Sequence, residues 1–202
     1  MKKLSKEQDY LATIKRNHKI LTQVECEKSI LGEDKIFKHL RLLKNAHRLS
    51  SFRLLQPYSV AEHCYYTGLL FETISEYENI QITKKEIYYV YRHDIIETIT
   101  GDVLLTVKIH SKTTKQKWAH IEKEIICNKY PYLESFLDEY IPSNFSKEAW
   151  MLFKACDLFE LYLFCLEEIE LGNNTGGISV VIHNCANLLP EFKINYITER
   201  IV

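Results

Sequence analysis

An all-α fold is predicted by three features of the 202-residue sequence. Glycine and proline are scarce, six and four residues, so few points force a turn. Apolar residues recur mostly at helical spacing rather than in alternation. Several stretches also carry the chemistry of helix starts and stops.

In order along the chain, residues 4–30 read as one or two helices rich in Lys and Glu. Residues 33–47 read as a further helix with Ile36, Leu40 and Leu43 along one face. Residues 49–58 form an irregular link ending in Gln56-Pro57-Tyr58. Ser59-Val60-Ala61-Glu62 has a hydroxyl at the N-cap and a carboxylate three positions on, so a helix opens there and runs to about Tyr77. The next helix spans about 84–97 and stops near Thr100-Gly101-Asp102. Residues 113–129 and 131–140 read as helices parted by Pro131. A long helix from about 146 to 171 meets Gly172-Asn173-Asn174 and then Gly176-Gly177, read together as its stop. Residues 178–200 are helical with a break at Pro190. The uneven lengths exclude a simple up-down bundle. The expected organisation is an N-terminal helical extension, 1–32, and one domain, 33–202.

Composition narrows the function classes. With 26 basic and 27 acidic residues, no bulk positive field exists to hold a nucleic-acid polymer. Six cysteines without a Cys-x-x-Cys pair suit neither a disulfide scaffold nor a zinc ribbon. The start, Met-Lys-Lys-Leu-Ser-Lys-Glu-Gln-Asp, has charge without an apolar stretch behind it, and no apolar run reaches bilayer length. A cytoplasmic protein with reduced thiols and no membrane partner is expected. The basic run Lys108, His110, Lys112, Lys115, Lys117, His120 and Lys123 reads first as a solvated helix face. Tyr88, Tyr89 and Tyr91 read as packing.

The informative residues are polar ones at positions where the pattern requires apolar ones. Trp150, Phe153, Leu161 and Phe164 mark a buried stripe, and Asp157 falls in its middle. A buried carboxylate needs a salt bridge, a cap to hold or a metal. Ile87 and Val90 define a face that Asp94 and Glu97 continue, with His93 beside it. His63 shares a stripe with Thr67, Leu70 and Ile74, one turn after Ser59, where the helix dipole favours the neutral imidazole that a metal requires. Alone, Asp157 is equally a salt-bridged or capping carboxylate, the His93-Asp94 pair is a weak signal, and His63 is more often a satisfied core residue than a ligand. Together, two imidazoles and two carboxylates on inward faces of three helices form a site for one divalent ion, and mixed nitrogen and oxygen donors suit Zn, Mn, Fe or Co better than Ca.

This order of residues, His63, His93-Asp94 and Asp157, resembles the HD-domain phosphohydrolase superfamily. Arg48, Ser-Val-Ala-Glu-His at 59–63, His-Asp-Ile-Ile-Glu-Thr-Ile-Thr-Gly-Asp at 93–102, Ala-Cys-Asp at 155–157 and Leu-Glu-Glu-Ile-Glu-Leu-Gly-Asn-Asn at 166–174 are similar to the bacterial 5′-deoxynucleotidases of the YfbR type. The resemblance covers roughly residues 35–185. It implies an all-α HD fold with a metal site between helices, and removal of phosphate from deoxynucleoside 5′-monophosphates. Carried over by position, His63, His93, Asp94 and Asp157 ligate one divalent ion (Co, Mn, Zn, Mg or Fe). Glu97 matches the catalytic acid, Asp102 the residue that holds the sugar hydroxyl and Arg48 the arginine that grips the phosphate; by charge alone, outside the resemblance, Arg53 and Lys108 are weaker phosphate candidates, Arg53 being equally a surface arginine. The residue after the arginine, often Trp in the family and set against a ribose 2′-hydroxyl, is Leu49 here. The family's proline-containing segment after Thr-Gly-Asp reads Val103 to Lys108 without proline.

Two rivals stand beside this reading: a deoxynucleoside triphosphate triphosphohydrolase on the same fold, and an inactive nucleotide-binding HD protein. By analogy with the family, a homodimer or larger homo-oligomer is expected.

Overall fold

The computed structural model describes residues 35–102, 111–136 and 145–201. The expected helices within 4–30, the segment 103–108 with Lys108, and residues 137–140 of the expected helix 131–140 lie outside them. The chain divides into two units, Met1–His39 and Leu40–Val202, and every candidate site residue belongs to the second. Among the described residues all regular structure is helical, apart from an isolated antiparallel bridge between His47 and Ser59.

Helix α1, Lys35–Leu42, runs into a 3-10 turn at Leu43–Asn45. Helix α2, Val60–Tyr77, starts where expected: the Ser59 hydroxyl accepts from the Glu62 N–H at 3.2 Å, and the Glu62 carboxylate accepts from the Ser59 N–H at 2.9 Å. Helix α3, Lys84–Val90, repeats this reciprocal cap with Thr83 and Glu86. The second Glu86 oxygen accepts from the Ser146 N–H at 3.0 Å. One buried carboxylate therefore fixes the start of α3 against the start of a helix sixty residues later.

The expected helix over 84–97 is shorter than its pattern suggests. After Val90 the backbone turns through 91–96, and a short helix α4 covers Glu97–Thr100. The His93 imidazole donates Nδ1–H to the Val90 carbonyl at 2.7 Å, the main-chain bond from Glu97 N–H stops at Asp94 O at 2.9 Å, and that from Ile95 N–H stops at Arg92 O. A side chain that competes for a carbonyl tightens the turn and ends the α-helix. His93 and Asp94 consequently sit on a turn, not on a helix face.

Helix α5, Lys112–Lys129, presents Lys112, Lys115, Lys117, His120 and Lys123 to solvent. A 3-10 stretch follows at Pro131–Phe136. Helix α6, Lys147–Glu170, is buried on more sides than the predicted stripe. Leu152, Ala155, Cys156, Phe159 and Tyr162 join Phe153 and Phe164 in the interior. Such a helix belongs at the centre of a domain, and α6 packs along both α2 and helix α7, Gly176–Leu188. Phe71, Ile74, Val90, Leu152, Phe153, Tyr162, Leu189 and Ile197 form the main core. At about 1.5–3 kcal/mol for each fully buried large apolar side chain, this cluster is the principal source of stability. The Leu189–Phe192 3-10 turn carries Pro190, and helix α8, Asn195–Thr198, closes the described chain.

Gly172, at φ 95°, ends the last turn of α6. Gly176 and Gly177, in contrast, begin α7 rather than stop α6. A Cβ on Gly177 would lie 2.7 Å from the Phe52 ring, so its glycine is set by close approach to a distant aromatic residue.

The Glu167-Glu168 and Asn173 portion of the 166–174 motif has a structural role. Glu168 is fully buried and accepts from the Leu55 N–H at 2.9 Å, the Gln56 N–H at 3.0 Å and the Asn173 amide at 2.5 Å. The Asn173 amide also donates to the Arg53 carbonyl at 2.8 Å. Replacing Glu168 with alanine leaves these buried donors without their acceptor. The expected loss is about 3 kcal/mol of unfolding free energy, read from urea denaturation at unchanged m-value.

Candidate metal centre

The residues expected at a metal site come from three parts of the chain. His63 occupies the first turn of α2, fully buried. His93 and Asp94 occupy the 91–96 turn, which packs beside it. Asp157 lies midway along α6.

The tautomers that the neighbouring acceptors impose set what this cluster could hold. His93 Nδ1 donates to the Val90 carbonyl, which can only accept, so Nδ1 carries the proton. His63 Nδ1 contacts the Glu160 carboxylate and lies 3.3 Å from the Tyr58 hydroxyl, which itself donates to Glu160. With the carboxylate as acceptor, His63 also carries its proton on Nδ1. The two Nε2 lone pairs then face each other at 3.2 Å. Around them stand Asp94 Oδ2, 3.3 Å from His93 Nε2 and 3.6 Å from His63 Nε2, and Asp157 Oδ1, at 3.8 and 3.1 Å respectively.

Four acceptor atoms at these separations repel unless a cation lies among them. Ligands at ~2.1 Å from one ion stand roughly 3–4.2 Å apart in octahedral or tetrahedral geometry, and the five separations given above fall in that range, with Asp157 at the edge of the tighter group that His63, His93 and Asp94 form. The donor atoms of His63, His93 and Asp94 lie within 4.8 Å of one another. Two imidazole nitrogens and two carboxylates balance a divalent charge and fit a mixed N/O ion.

Without a metal, protons carry that compensation. Burial alone would lower the His93 pKa, but the Asp94 carboxylate and the Cys64 thiol beside it hold it well above the ordinary histidine value. Burial would raise Asp94 and Asp157; His93 outweighs it for Asp94, and Lys154 with His63 for Asp157, so both stay below the usual carboxylate range. A metal ion bound at this cluster would have to displace the His93 proton. Affinity for Mn²⁺ is expected to climb with pH through neutrality, by up to about tenfold per unit, and to level off only above the raised His93 pKa. Calorimetric titrations between pH 6 and 9 check this; a flat profile across that range contradicts it.

The phosphate-binding candidates fall into two groups. Arg48 Nη1 lies 3.0 Å from Asp94 Oδ2, and its side chain is 15% exposed. Its backbone N–H donates to the Tyr58 carbonyl at 2.8 Å beside the His47–Ser59 bridge, which fixes the stem of the loop. Burial opposes its charge, while Tyr58, Asp94, Asp157 and Glu97 hold the guanidinium firmly protonated. Arg53, in contrast, is exposed and no described contact brings it to the cluster. Glu97, 8% exposed, begins α4 one turn after Asp94, and its charge is felt at Arg48.

Leu49 and Asp102 meet through the main chain. The Leu49 N–H donates to Asp102 Oδ2 at 3.2 Å, and Leu49 takes a left-handed φ of 51°. A non-glycine residue there costs on the order of 1 kcal/mol, a strain tolerated where the surroundings fix the backbone. The Leu49 side chain packs into an apolar cluster with Tyr58, Phe164, Cys165 and Ile178.

Glu160 and Tyr58 escaped the sequence reading. Glu160 follows Asp157 by three residues on the same helix, a second carboxylate on a buried face, and that spacing was the available signal. Glu160→Gln is expected to weaken metal binding by about tenfold or more while far-UV circular dichroism stays unchanged. Competition with a fluorescent chelator measures it.

Comparison with known proteins places the chain by family and fold. The family model described as "5′-deoxynucleotidase YfbR-like" matches residues 35–193. A 5′-deoxynucleotidase of Klebsiella pneumoniae is 26% identical over 158 residues, covering 71% of this chain and 77% of its own. Among solved structures, an HD-domain phosphohydrolase of Listeria innocua superposes with a TM-score of 0.65 at 19% identity, covering 81% of this chain and 83% of its own. The cyanophage S-2L HD phosphohydrolase, solved with dA and one catalytic Zn²⁺, gives 0.55 at 17% identity, covering 80% and 96%. Both structural likenesses place the fold among HD domains. On the match over residues 35–193, the chain belongs to the YfbR-like 5′-deoxynucleotidase family.

Proposed function

We propose that the protein removes the 5′-phosphate from deoxynucleoside 5′-monophosphates, and that residues 33–202 carry the activity. The broader class, a metal-dependent HD-domain phosphohydrolase, follows from the family. The observation that carries the finer reading is Arg48 placed 3.0 Å from a carboxylate of the His63/His93/Asp94/Asp157 cluster. A cation fork beside a metal cluster is suited to a phosphate monoester. The names of the Klebsiella relative and of the dA-bound cyanophage structure support a deoxynucleoside substrate.

When bound, the divalent ion supplies a Lewis acid that polarises the phosphoryl group and lowers the pKa of a coordinated water. The protein does the rest by positioning. Val90 and Glu160 hold the two imidazoles with Nε2 forward. Arg48 exchanges Asp94 for two phosphate oxygens and offsets the charge that develops on them. Water would form the new bond to phosphorus as the bond from phosphorus to the 5′-oxygen breaks, with the Glu97 carboxylate taking the proton that the water gives up and passing it to the departing 5′-oxygen. Asp102 accepts from a sugar hydroxyl, while Leu49 stands where the family often has Trp.

A phosphate-release screen tests the reading across ribo- and deoxynucleoside mono- and triphosphates with Mn, Co, Mg and Zn. Orthophosphate from deoxynucleoside monophosphates is the expected result. Tripolyphosphate from triphosphates would instead establish the triphosphohydrolase, and no turnover with any ion would establish the inactive nucleotide-binding protein.

A further inference from the structure

Behind the metal centre lies a second concavity. A groove of about 430 Å³ runs between α2 and α6, closed at one end by the Gln56-Pro57-Tyr58 turn. Its volume falls in the range of small-molecule sites. None of the four candidate ligands, nor Arg48, lines it. Its lining charge is one-sided: Glu62, Glu160 and Glu167 line it, with no lysine, arginine or histidine among the described lining residues. Apart from Gln56 and Thr73 the remaining walls are apolar or aromatic, including Tyr66, Leu69 and Phe164.

That composition excludes the anionic nucleotide. A two-fold contact with a second copy would set three carboxylates against three, so the charge also disfavours self-association there. Glu160 links the groove to the metal centre. It is 5% exposed, it lines the groove, and its bonds to Tyr58 and His63 Nδ1 both use Oε2, so Oε1 takes part in neither.

We infer that this groove binds an organic cation, an ammonium or amidinium group on an apolar body, and that its occupant opposes metal binding through Glu160. A cation beside Glu160 draws on the carboxylate that holds His63 Nδ1–H, leaving Nε2 a poorer donor, and its charge repels the divalent ion. The inference rests on the metal-centre reading above. By linkage the opposition is reciprocal, and coupling of this kind is typically about fivefold or more.

Benzamidinium is the probe. It is titrated calorimetrically into the full chain, metal-free and Mn²⁺-loaded, and Mn²⁺ affinity is measured with and without saturating benzamidinium. The expected result is binding that weakens about fivefold with Mn²⁺, and Mn²⁺ binding that weakens by the same factor with benzamidinium. Thr73 is an exposed groove residue, and Thr73→Trp should fill the space, abolish probe binding and leave Mn²⁺ affinity unchanged. Leu69→Lys, which tethers a cation at the rim, should lower Mn²⁺ affinity without any probe. The inference is overturned by no binding at millimolar probe, by equal binding to Thr73→Trp, or by equal affinity with and without Mn²⁺. A wild-type dimer that Thr73→Trp converts to monomer would assign the groove to a second copy and overturn it too. If Mn²⁺ fails to bind at all, the metal-centre reading falls, and the coupling with it.

Discussion

Asp157→Ala is expected to remove metal binding and to lower kcat/KM for phosphate release by at least about three orders of magnitude, equivalent to roughly 4 kcal/mol of transition-state stabilisation. The size follows from position. Asp157 supplies the oxygen nearest His63 Nε2, at 3.1 Å, and it is the only member of the four on α6. Without it three donors remain from one side, with a single carboxylate to balance a divalent charge. The helix itself should survive. Alanine is a strong helix former, the Asp157 side chain is 26% exposed, and α6 is anchored by Leu152, Phe153, Phe159 and Tyr162. Circular dichroism of the metal-free variant should match the wild type, while the rise in Tm that metal gives the wild type disappears. Retention of both metal and turnover would remove Asp157 from the ligand set.

Glu97→Ala separates chemistry from binding. Glu97 is not among the groups converging on the two Nε2 atoms, and its place is the first residue of α4, with its N–H on the Asp94 carbonyl. The variant should hold Mn²⁺ within a few-fold of wild type but turn over about 10²–10⁴ times more slowly, the usual contribution of a positioned acid or base. The loss should appear in kcat rather than KM. A leaving group that needs no protonation, such as p-nitrophenolate, should recover part of the rate. Near-normal kcat with a nucleotide substrate would remove Glu97 from the mechanism.

Legibility in the sequence followed the range of each interaction. The start of α2 at Ser59 and the limits of α6 were readable because a cap is made within four residues. The end of α3 was not, because the helical pattern continues past Val90 and only the three-dimensional fit of the His93 ring to the Val90 carbonyl interrupts it. Gly176-Gly177 resembles a stop in the sequence because the demand for glycine comes from Phe52, more than a hundred residues away. The same holds at the site. His63, His93, Asp94 and Asp157 betrayed themselves as polar residues at apolar positions. Glu160 and Tyr58 bond to the His63 ring, and Glu168 to the loop carrying Arg53 to Gln56; apart from the Asp157–Glu160 spacing and the 166–174 motif, their partners are set by the three-dimensional fit alone. Arg53 resembled a phosphate ligand by charge alone, and its exposed side chain is not brought to the cluster.

One cation held jointly by groups from α2, the 91–96 turn and α6 is the condition on which the chemistry depends. Crystals soaked in Mn²⁺ and measured for anomalous scattering test that directly. A single strong peak within ~2.0–2.3 Å of His63 Nε2, His93 Nε2, Asp94 and Asp157 is the predicted result. A peak that omits either imidazole, or a cluster that stays without anomalous signal at millimolar Mn²⁺ and pH 8, contradicts it.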